Sequence, residues 1–168
     1  NIKIRTIEYS KMTILTPEEK QYLDRSLLVA GNYKTAEGEE VPPAQWPVTP
    51  VWTSVWLQEE QYYYGYQQVD TVFFHAGNYQ NGEYNPLLQY AWNNGVGVIN
   101  YRGWGDANGW HKPWFHRDNI DDLYNGWKLP VVFSFVCNTG DFGNNSHDYC
   151  FGEALITYGG SSSPKGAV

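Results

Sequence analysis

Cysteine is scarce in this sequence: Cys137 and Cys150 are the only two among 168 residues. So few cysteines exclude a disulfide-rich scaffold, while a single Cys137–Cys150 bridge and two free thiols both stay open. Stability must then come mainly from a hydrophobic core, and a chain of this length with 42% hydrophobic residues can bury one. The sequence therefore predicts one globular domain over residues 1–168.

Positive charge is also scarce, with 11 Lys and Arg residues against 18 acidic ones and a net charge of −7. A protein that follows a nucleic-acid backbone needs clustered Lys and Arg, so this class is excluded. Long apolar runs are missing too, and no stretch of about 18 apolar residues indicates a membrane span. Since no charged-then-apolar leader opens the sequence, we expect any export signal to lie outside it.

Both ends of the sequence have the character of interior segments. Residues 1–9 are typical of part of a helix, and residues 165–168 stop where an apolar strand is expected to begin. We therefore expect the domain to be truncated at both ends and to belong to a longer, multidomain chain.

Aromatic residues are abundant, at 17% of the chain with 8 Trp and 14 Tyr. The simpler interpretation is a core of large side chains with rigid loop packing. The alternative is an extracellular surface with exposed rings, such as a carbohydrate-binding face, which rests on composition alone.

Short apolar segments alternate with helical patterns along the chain. Strands are predicted over 26–31, 69–74, 97–101 and 130–136, and helices over 2–12, from Thr16 onward, 51–64, 85–92, 117–125 and 151–156. Residues 32–50 are predicted to form a surface loop. This alternation predicts a parallel α/β sheet with helices on both faces. Functional groups are then expected at the carboxyl ends of the strands, where a Gly-rich turn and Cys137 both lie.

Three segments together resemble gingipain-type cysteine peptidases of family C25. Residues 100–105 (NYRGWG), followed by Trp110, resemble the family's N-Y-x-G-H-G turn. Residues 129–142 (LPVVFSFVCNTGDF) resemble the strand that delivers its nucleophile, and residues 150–155 (CFGEAL) resemble the start of its next helix. The resemblance is specific over 97–168, faint over 2–31 and absent over 32–60.

The resemblance implies a caspase-like three-layer α/β sandwich with a mainly parallel central sheet. It also implies an extracellular or bacterial cell-surface location, and endopeptidase activity on protein or peptide substrates through a Cys–His pair. No cofactor is required, although family members often hold calcium ions. The domain would then be a fragment of a gingipain-like catalytic domain.

Cys137 is the candidate nucleophile. It ends an apolar strand and meets Asn138, Thr139 and Gly140, where a turn can expose the sulfur. Backbone N–H groups around Gly103, Trp104 and Cys137 are the candidate oxyanion donors. The alternative is a buried cysteine that acts as a small hydrophobe, or one bonded to Cys150.

The proton carrier departs from the family pattern, because Trp104 occupies the position of the usual histidine. An indole N–H donates a hydrogen bond but cannot accept a proton at neutral pH. His111 is the candidate substitute base, brought over Cys137 by a flexible loop. His116 is predicted to face solvent, while His147 and His75 rank behind His111.

The family's acidic residue after its first strand is also missing, since Gly31 and Asn32 stand at that point and Glu37, Glu39 and Glu40 come later. Specificity for Arg or Lys cannot be carried over, because the acidic pocket residue falls within the unmatched segment. A second hypothesis is therefore a catalytically inactive peptidase fold that serves in binding or cell-surface assembly. The many aspartates in the turns match no known calcium-loop spacing.

Overall fold

The computed structural model describes residues 2–31, 50–74 and 84–168. The predicted loop over 32–50 lies outside these ranges except for its last residue. The strand-end residue His75 also lies outside them. The strands are β1 (Arg25–Gly31), β2 (Gln68–Phe74), β3 (Val98–Arg102), β4 (Gly105–Asp106), β5 (Gly109–His111), β6 (Trp114–His116) and β7 (Val131–Phe135), and the helices are α1 (Ile2–Lys11), α2 (Pro50–Tyr63), α3 (Tyr84–Asn94), α4 (Arg117–Asp121) and α5 (Phe151–Thr157).

The central sheet has the strand order β2-β1-β3-β7, and every pair in it is parallel. Its four strands are the four predicted from apolar runs, which confirms that interpretation. Strand β1, which lies between β2 and β3, is fully buried from Leu27 to Ala30. Such a strand shows a continuous apolar run rather than alternation, because both of its faces are covered.

Helices cover both faces of this sheet. On one face α2 packs against β1 and β2, and Ser26 Oγ donates to Gln61 Oε1 at 2.6 Å. On the other face Leu27, Val29 and Ile99 join one buried cluster with Trp92 of α3. The arrangement is therefore three-layered, with the carboxyl ends of the strands together at one rim. No helix in the described part of the chain is both long and apolar enough to cross a membrane.

Two elements differ from the sequence prediction. Residues 105–116, expected to be a flexible loop, form the antiparallel sheet β4-β5-β6. These strands are only two or three residues long, so they offer too few positions for an alternating pattern to show. The helix predicted from Thr16 is a 3₁₀ helix over Glu19–Asp24, preceded by the reciprocal Thr16–Glu19 hydrogen bonds of a capping box.

The small antiparallel sheet is attached to the central one through Trp110. This indole is fully buried and stacks on Tyr101 of β3 with ring centroids 4.3 Å apart. Phe115 and Phe151 lie 5.9 and 5.2 Å from it. Its Nε1 donates to Ser134 Oγ of β7 at 2.9 Å, so one side chain joins β3, β5 and β7.

We expect Trp110→Ala to lower the free energy of unfolding by about 3–5 kcal/mol, because it empties the centre of the aromatic core. Trp56→Ala is the matched control, since the Trp56 side chain is 53% exposed and should cost less than about 1 kcal/mol. Urea unfolding followed by circular dichroism measures both values. Equal losses in the two variants would contradict this account of the core.

Candidate active site

Two turns meet at the carboxyl rim of the sheet, one after β3 and one after the adjacent strand β7. A methyl group on Gly105 would lie 3.2 Å from Val136 Cγ2 and 3.3 Å from Thr139 Cγ2. These two residues flank the Cys137–Asn138 segment. The Gly-rich turn and the cysteine turn are therefore in direct contact, as the sequence predicted from their places after neighbouring strands.

Cys137 is an exposed free thiol at the end of β7. The next residue, Asn138, has a φ of 57°, a left-handed conformation that turns the chain sharply. Thr139 anchors the turn: its carbonyl accepts the Gly152 N–H at 2.8 Å, and its Oγ1 lies 3.1 Å from Ser134 Oγ. The backbone is thus fixed while the sulfur faces outward. Sγ forms no hydrogen bond with any residue that the structure describes.

Cys150 is fully buried and is also a free thiol, so Cys137 and Cys150 are not bonded to each other. It caps the amino end of α5, where its backbone N–H donates to Glu153 Oε2 at 2.9 Å. Burial raises the pKa of the Cys150 thiol. The two cysteines therefore differ in reactivity, because the thiolate is the nucleophilic form.

The turn over 102–104 is held by Tyr101. The Trp104 N–H donates to Tyr101 Oη at 3.0 Å, and the Tyr101 hydroxyl donates back to the Trp104 carbonyl at 2.6 Å. A methyl group on Gly103 would lie 2.9 Å from Tyr101 Cζ, so the motif requires glycine there. The Trp104 N–H is thus used within its own turn, whereas the Gly103 N–H donates to no described residue.

The Trp104 ring lies at the same rim and is 44% exposed. Lys112 Nζ stands 4.2 Å from the ring centroid in a cation–π contact. The Lys112 carbonyl oxygen would collide with a side chain on Gly31, so Lys112 crosses the end of β1. The Trp104 indole and the Lys112 ammonium group over it therefore occupy the surface beside the cysteine turn.

His111 lies in β5 and is held in place rather than carried by a flexible loop. Its backbone N–H donates to the Trp104 carbonyl at 2.8 Å, and its Nε2 stands 3.0 Å from Asp106 Oδ2. Asp106 is thus an acidic partner of His111 that sequence reasoning did not single out. The strand pairing that aligns them could not be read from such short strands.

Asp106 stays ionised more readily than an ordinary aspartate. Burial alone would raise its pKa, but the Asn108 backbone N–H and then the His111 ring outweigh that effect and lower the pKa. A carboxylate on Nε2 favours the tautomer in which Nε2 carries the proton. The remaining ring nitrogen, Nδ1, is then the basic atom of His111.

His116 is buried, so the prediction of a solvent-facing histidine is wrong. It ends β6, is 9% exposed, and its Nδ1 accepts hydrogen bonds from Asn108 and Trp114. It pairs with Gly109 within the antiparallel sheet, and its ring packs against the Trp114 ring with centroids 4.7 Å apart. Burial and then the nearby His111 ring lower the pKa of His116 from 6.5 to about 4. His147 is occupied elsewhere, since Arg117 Nη2 donates to its Nδ1 at 2.9 Å.

Within the described ranges, no three His, Cys, Asp or Glu side chains converge as ligands of a metal ion. The described residues thus offer no cluster of three such side chains for the calcium that the family resemblance implies.

The fold and the rim together define an α/β domain with a free thiol at the carboxyl end of a parallel strand. The chain belongs to peptidase family C25, whose family model matches residues 2–168. Gingipain R2 of Porphyromonas gingivalis strain W83 is 35% identical over 78 residues, which are 46% of this chain and 10% of that protein. Gingipain R1 of the same species is 33% identical over 78 residues, 8% of its length.

Solved structures confirm the caspase-like fold. The crystal structure of the Arg-specific cysteine proteinase gingipain R superposes with a TM-score of 0.75 at 24% identity, and covers 97% of this chain and 34% of that one. The complex of the P. gingivalis RgpB pro- and mature domains gives 0.75 at 25% identity, with 98% and 35% covered. The chain thus spans about a third of these structures and about a tenth of the curated gingipains.

We expect iodoacetamide to modify Cys137 in the folded protein and to reach Cys150 only after unfolding, because Cys150 is buried with a raised pKa. Peptide mass spectrometry of samples alkylated with and without urea measures the two sites separately. Cys137→Ser is the control and should leave the folded protein unlabelled. Equal labelling of both thiols before unfolding would contradict the assignment.

We expect stability to fall with acid between pH 6.5 and about 4. Across this window His116 binds a proton in the unfolded protein but not in the folded protein, so falling pH stabilises the unfolded state. The contribution of neutral, buried His116 to the free energy of unfolding is therefore complete above pH 6.5 and is lost as the pH falls toward 4. The change amounts to roughly 3 kcal/mol. Urea unfolding at several pH values measures it, and His116→Asn, which keeps an acceptor near Nδ1, should flatten the slope. An unchanged slope in that variant would contradict the assignment to His116.

Proposed function

We propose that the protein is a gingipain-like cysteine endopeptidase with Cys137 as its nucleophile. The observation that carries this proposal is the exposed Cys137 thiol, fixed at the end of β7 and packed beside the glycine turn that follows β3. Buried cysteines serve packing, whereas an exposed thiol on a rigid turn at the carboxyl rim of a parallel sheet suits catalysis.

The oxyanion donors in this proposal are the backbone N–H groups of Gly103 and Cys137. The Trp104 N–H is excluded, because it donates to Tyr101 Oη. Two backbone donors aimed at one oxygen stabilise the tetrahedral intermediate without reorganising during the reaction. Tyr101 would act as a positioning residue, since it shapes the turn that carries Gly103.

We propose that position 104 corresponds to the position of the family histidine. His111 then acts as the general base instead of the residue at that position. The Cys137 thiol gives its proton to His111 Nδ1, and the sulfur attacks the substrate carbonyl carbon. The C–N bond breaks as the imidazolium returns the proton to the leaving amine. Water then attacks the thioester and gives one proton to His111. The free acid leaves, and His111 returns this proton to the sulfur, which restores the thiol.

Asp106 supports this role by holding Nε2 of His111 at 3.0 Å, which fixes the orientation of the ring. The Cys137 sulfur is not hydrogen-bonded to His111 in this structure, so substrate binding has to shorten the gap. Catalytic contacts that are long in free enzymes commonly tighten on binding.

The second candidate function is an inactive peptidase-fold module for binding or cell-surface assembly. The specific observation in its favour is that Trp104 carries Lys112 on its ring, where the family resemblance expects a histidine. Such a module would retain the fold and the surface but no proton carrier for the thiol.

The rest of the proposal follows from family membership. We propose protein or peptide substrates, an extracellular or cell-surface location, no required cofactor, and a longer chain of which this domain is part. The relatives extend far beyond the matched 78 residues, which is consistent with a multidomain protein.

We expect His111→Gln to lower kcat/KM for protein substrates by about 10²–10⁴, the usual share of general-base assistance. Asp106→Asn should lower it less, and Cys137→Ala should abolish turnover. His147→Gln is the matched control and should stay within about twofold, because His147 pairs with Arg117 instead. The assay is release of labelled peptides from casein.

Two outcomes separate the candidates. Turnover abolished by Cys137→Ala but untouched by His111→Gln would place the base on another residue. No turnover in the wild-type protein, with Cys137 still alkylated in the folded state, would favour the inactive module over the enzyme.

A further inference from the structure

A groove of about 600 Å³ opens on the α2 face of the sheet, beside the cysteine turn. Thr53 and Trp56 of α2 form one wall, and Arg102 and Phe135 form the other. The Trp56 and Phe135 side chains are 53% and 60% exposed, so they offer apolar walls to an incoming chain.

The groove lies next to the groups that would perform the chemistry. Arg102 and Phe135 are partners in the β3–β7 ladder, and both are the last residues of their strands. Arg102 directly precedes Gly103, and Phe135 stands two residues before Cys137. A peptide whose carbonyl meets the thiol therefore has its neighbouring side chain within reach of this groove.

Among the lining residues that the structure describes, Arg102 is the charged one and the others are uncharged. The guanidinium forms no ion pair with a described residue, and its one hydrogen bond runs from Nη1 to Thr53 Oγ1 at 3.4 Å. A guanidinium has five N–H donors in a fork that matches a carboxylate. Arg102 is half-buried and has no charged partner among the described residues, so N–H donors of its guanidinium are available to a ligand in the groove.

We propose that this groove is a substrate side-chain pocket that selects a carboxylate, with Arg102 as the specificity residue. The inference rests on the proposed peptidase function and names its substrate class. A glutamate side chain would lay its methylene groups along Trp56 and Phe135 and place its carboxylate on Arg102. A basic side chain would meet a like charge there. The net charge of −7 acts over longer distances and is screened beyond about 8 Å at physiological salt.

The test measures binding separately from turnover. Three blocked hexapeptides, alanine except for Glu, Gln or Arg at the third position, are titrated into the full protein carrying Cys137→Ala, which binds but cannot cleave. We expect the Glu peptide to bind about tenfold more tightly than the Gln peptide, as for a hydrogen bond to a charged group, and the Arg peptide to bind most weakly.

Variants of the groove then assign the preference to one residue. In the same background Arg102→Met should abolish the Glu-over-Gln preference while thermal melts show a folded protein, and Arg102→Lys should retain part of it. Lys3→Met is the matched control, because it removes the same charge from an exposed position on α1 and should leave the preference intact.

The outcomes keep the two proposals distinguishable. Tighter binding of the Arg or Gln peptide, no binding of any peptide, or a Glu preference that survives Arg102→Met would overturn the assignment of the groove. Cleavage by the wild-type protein reports on the peptidase function by itself. Binding selectivity without cleavage would leave Arg102 assigned and would sink the catalytic proposal.

Discussion

The stacking of Trp110 beneath the sheet is the interaction on which the rest of the structure depends. Its ring packs on Tyr101, and its N–H reaches Ser134, so the antiparallel sheet is fixed against two adjacent parallel strands. Ser134 in turn lies 3.1 Å from Thr139, which anchors the turn of Cys137. Tyr101 shapes the glycine turn through Trp104. One buried indole thus sets the relative position of both turns of the rim.

This constraint explains how a tryptophan at position 104 is compatible with the fold. Its main chain, not its side chain, is bound by Tyr101, so the backbone of the glycine turn does not depend on the ring attached there. The indole is left at the surface with Lys112 over it. The histidine–aspartate pair stands one strand away in the antiparallel sheet, where His111 is tied to the same turn through the Trp104 carbonyl.

Much of the fold was predictable because it follows from local patterns. Apolar runs gave the four parallel strands and their order along the chain, and the capping signal at Thr16 was correct although the helix is 3₁₀. The place of Cys137 beside the glycine turn followed from parallel topology. The antiparallel sheet was missed because strands of two or three residues carry no period, and with it were missed the partner Asp106 and the burial of His116.

The sequence by itself determined the family, the parallel sheet and the strand end that carries Cys137, since these reside in motifs and in short-range hydrophobic periodicity. Tertiary structure alone decided which groups share the rim. Burial of Cys150, the pairing of His111 with Asp106 and the opening of Arg102 into a groove each depend on which faces are covered by distant segments. Burial and pairing set the pKa and the available donors of a side chain, and neither is encoded in its immediate neighbours.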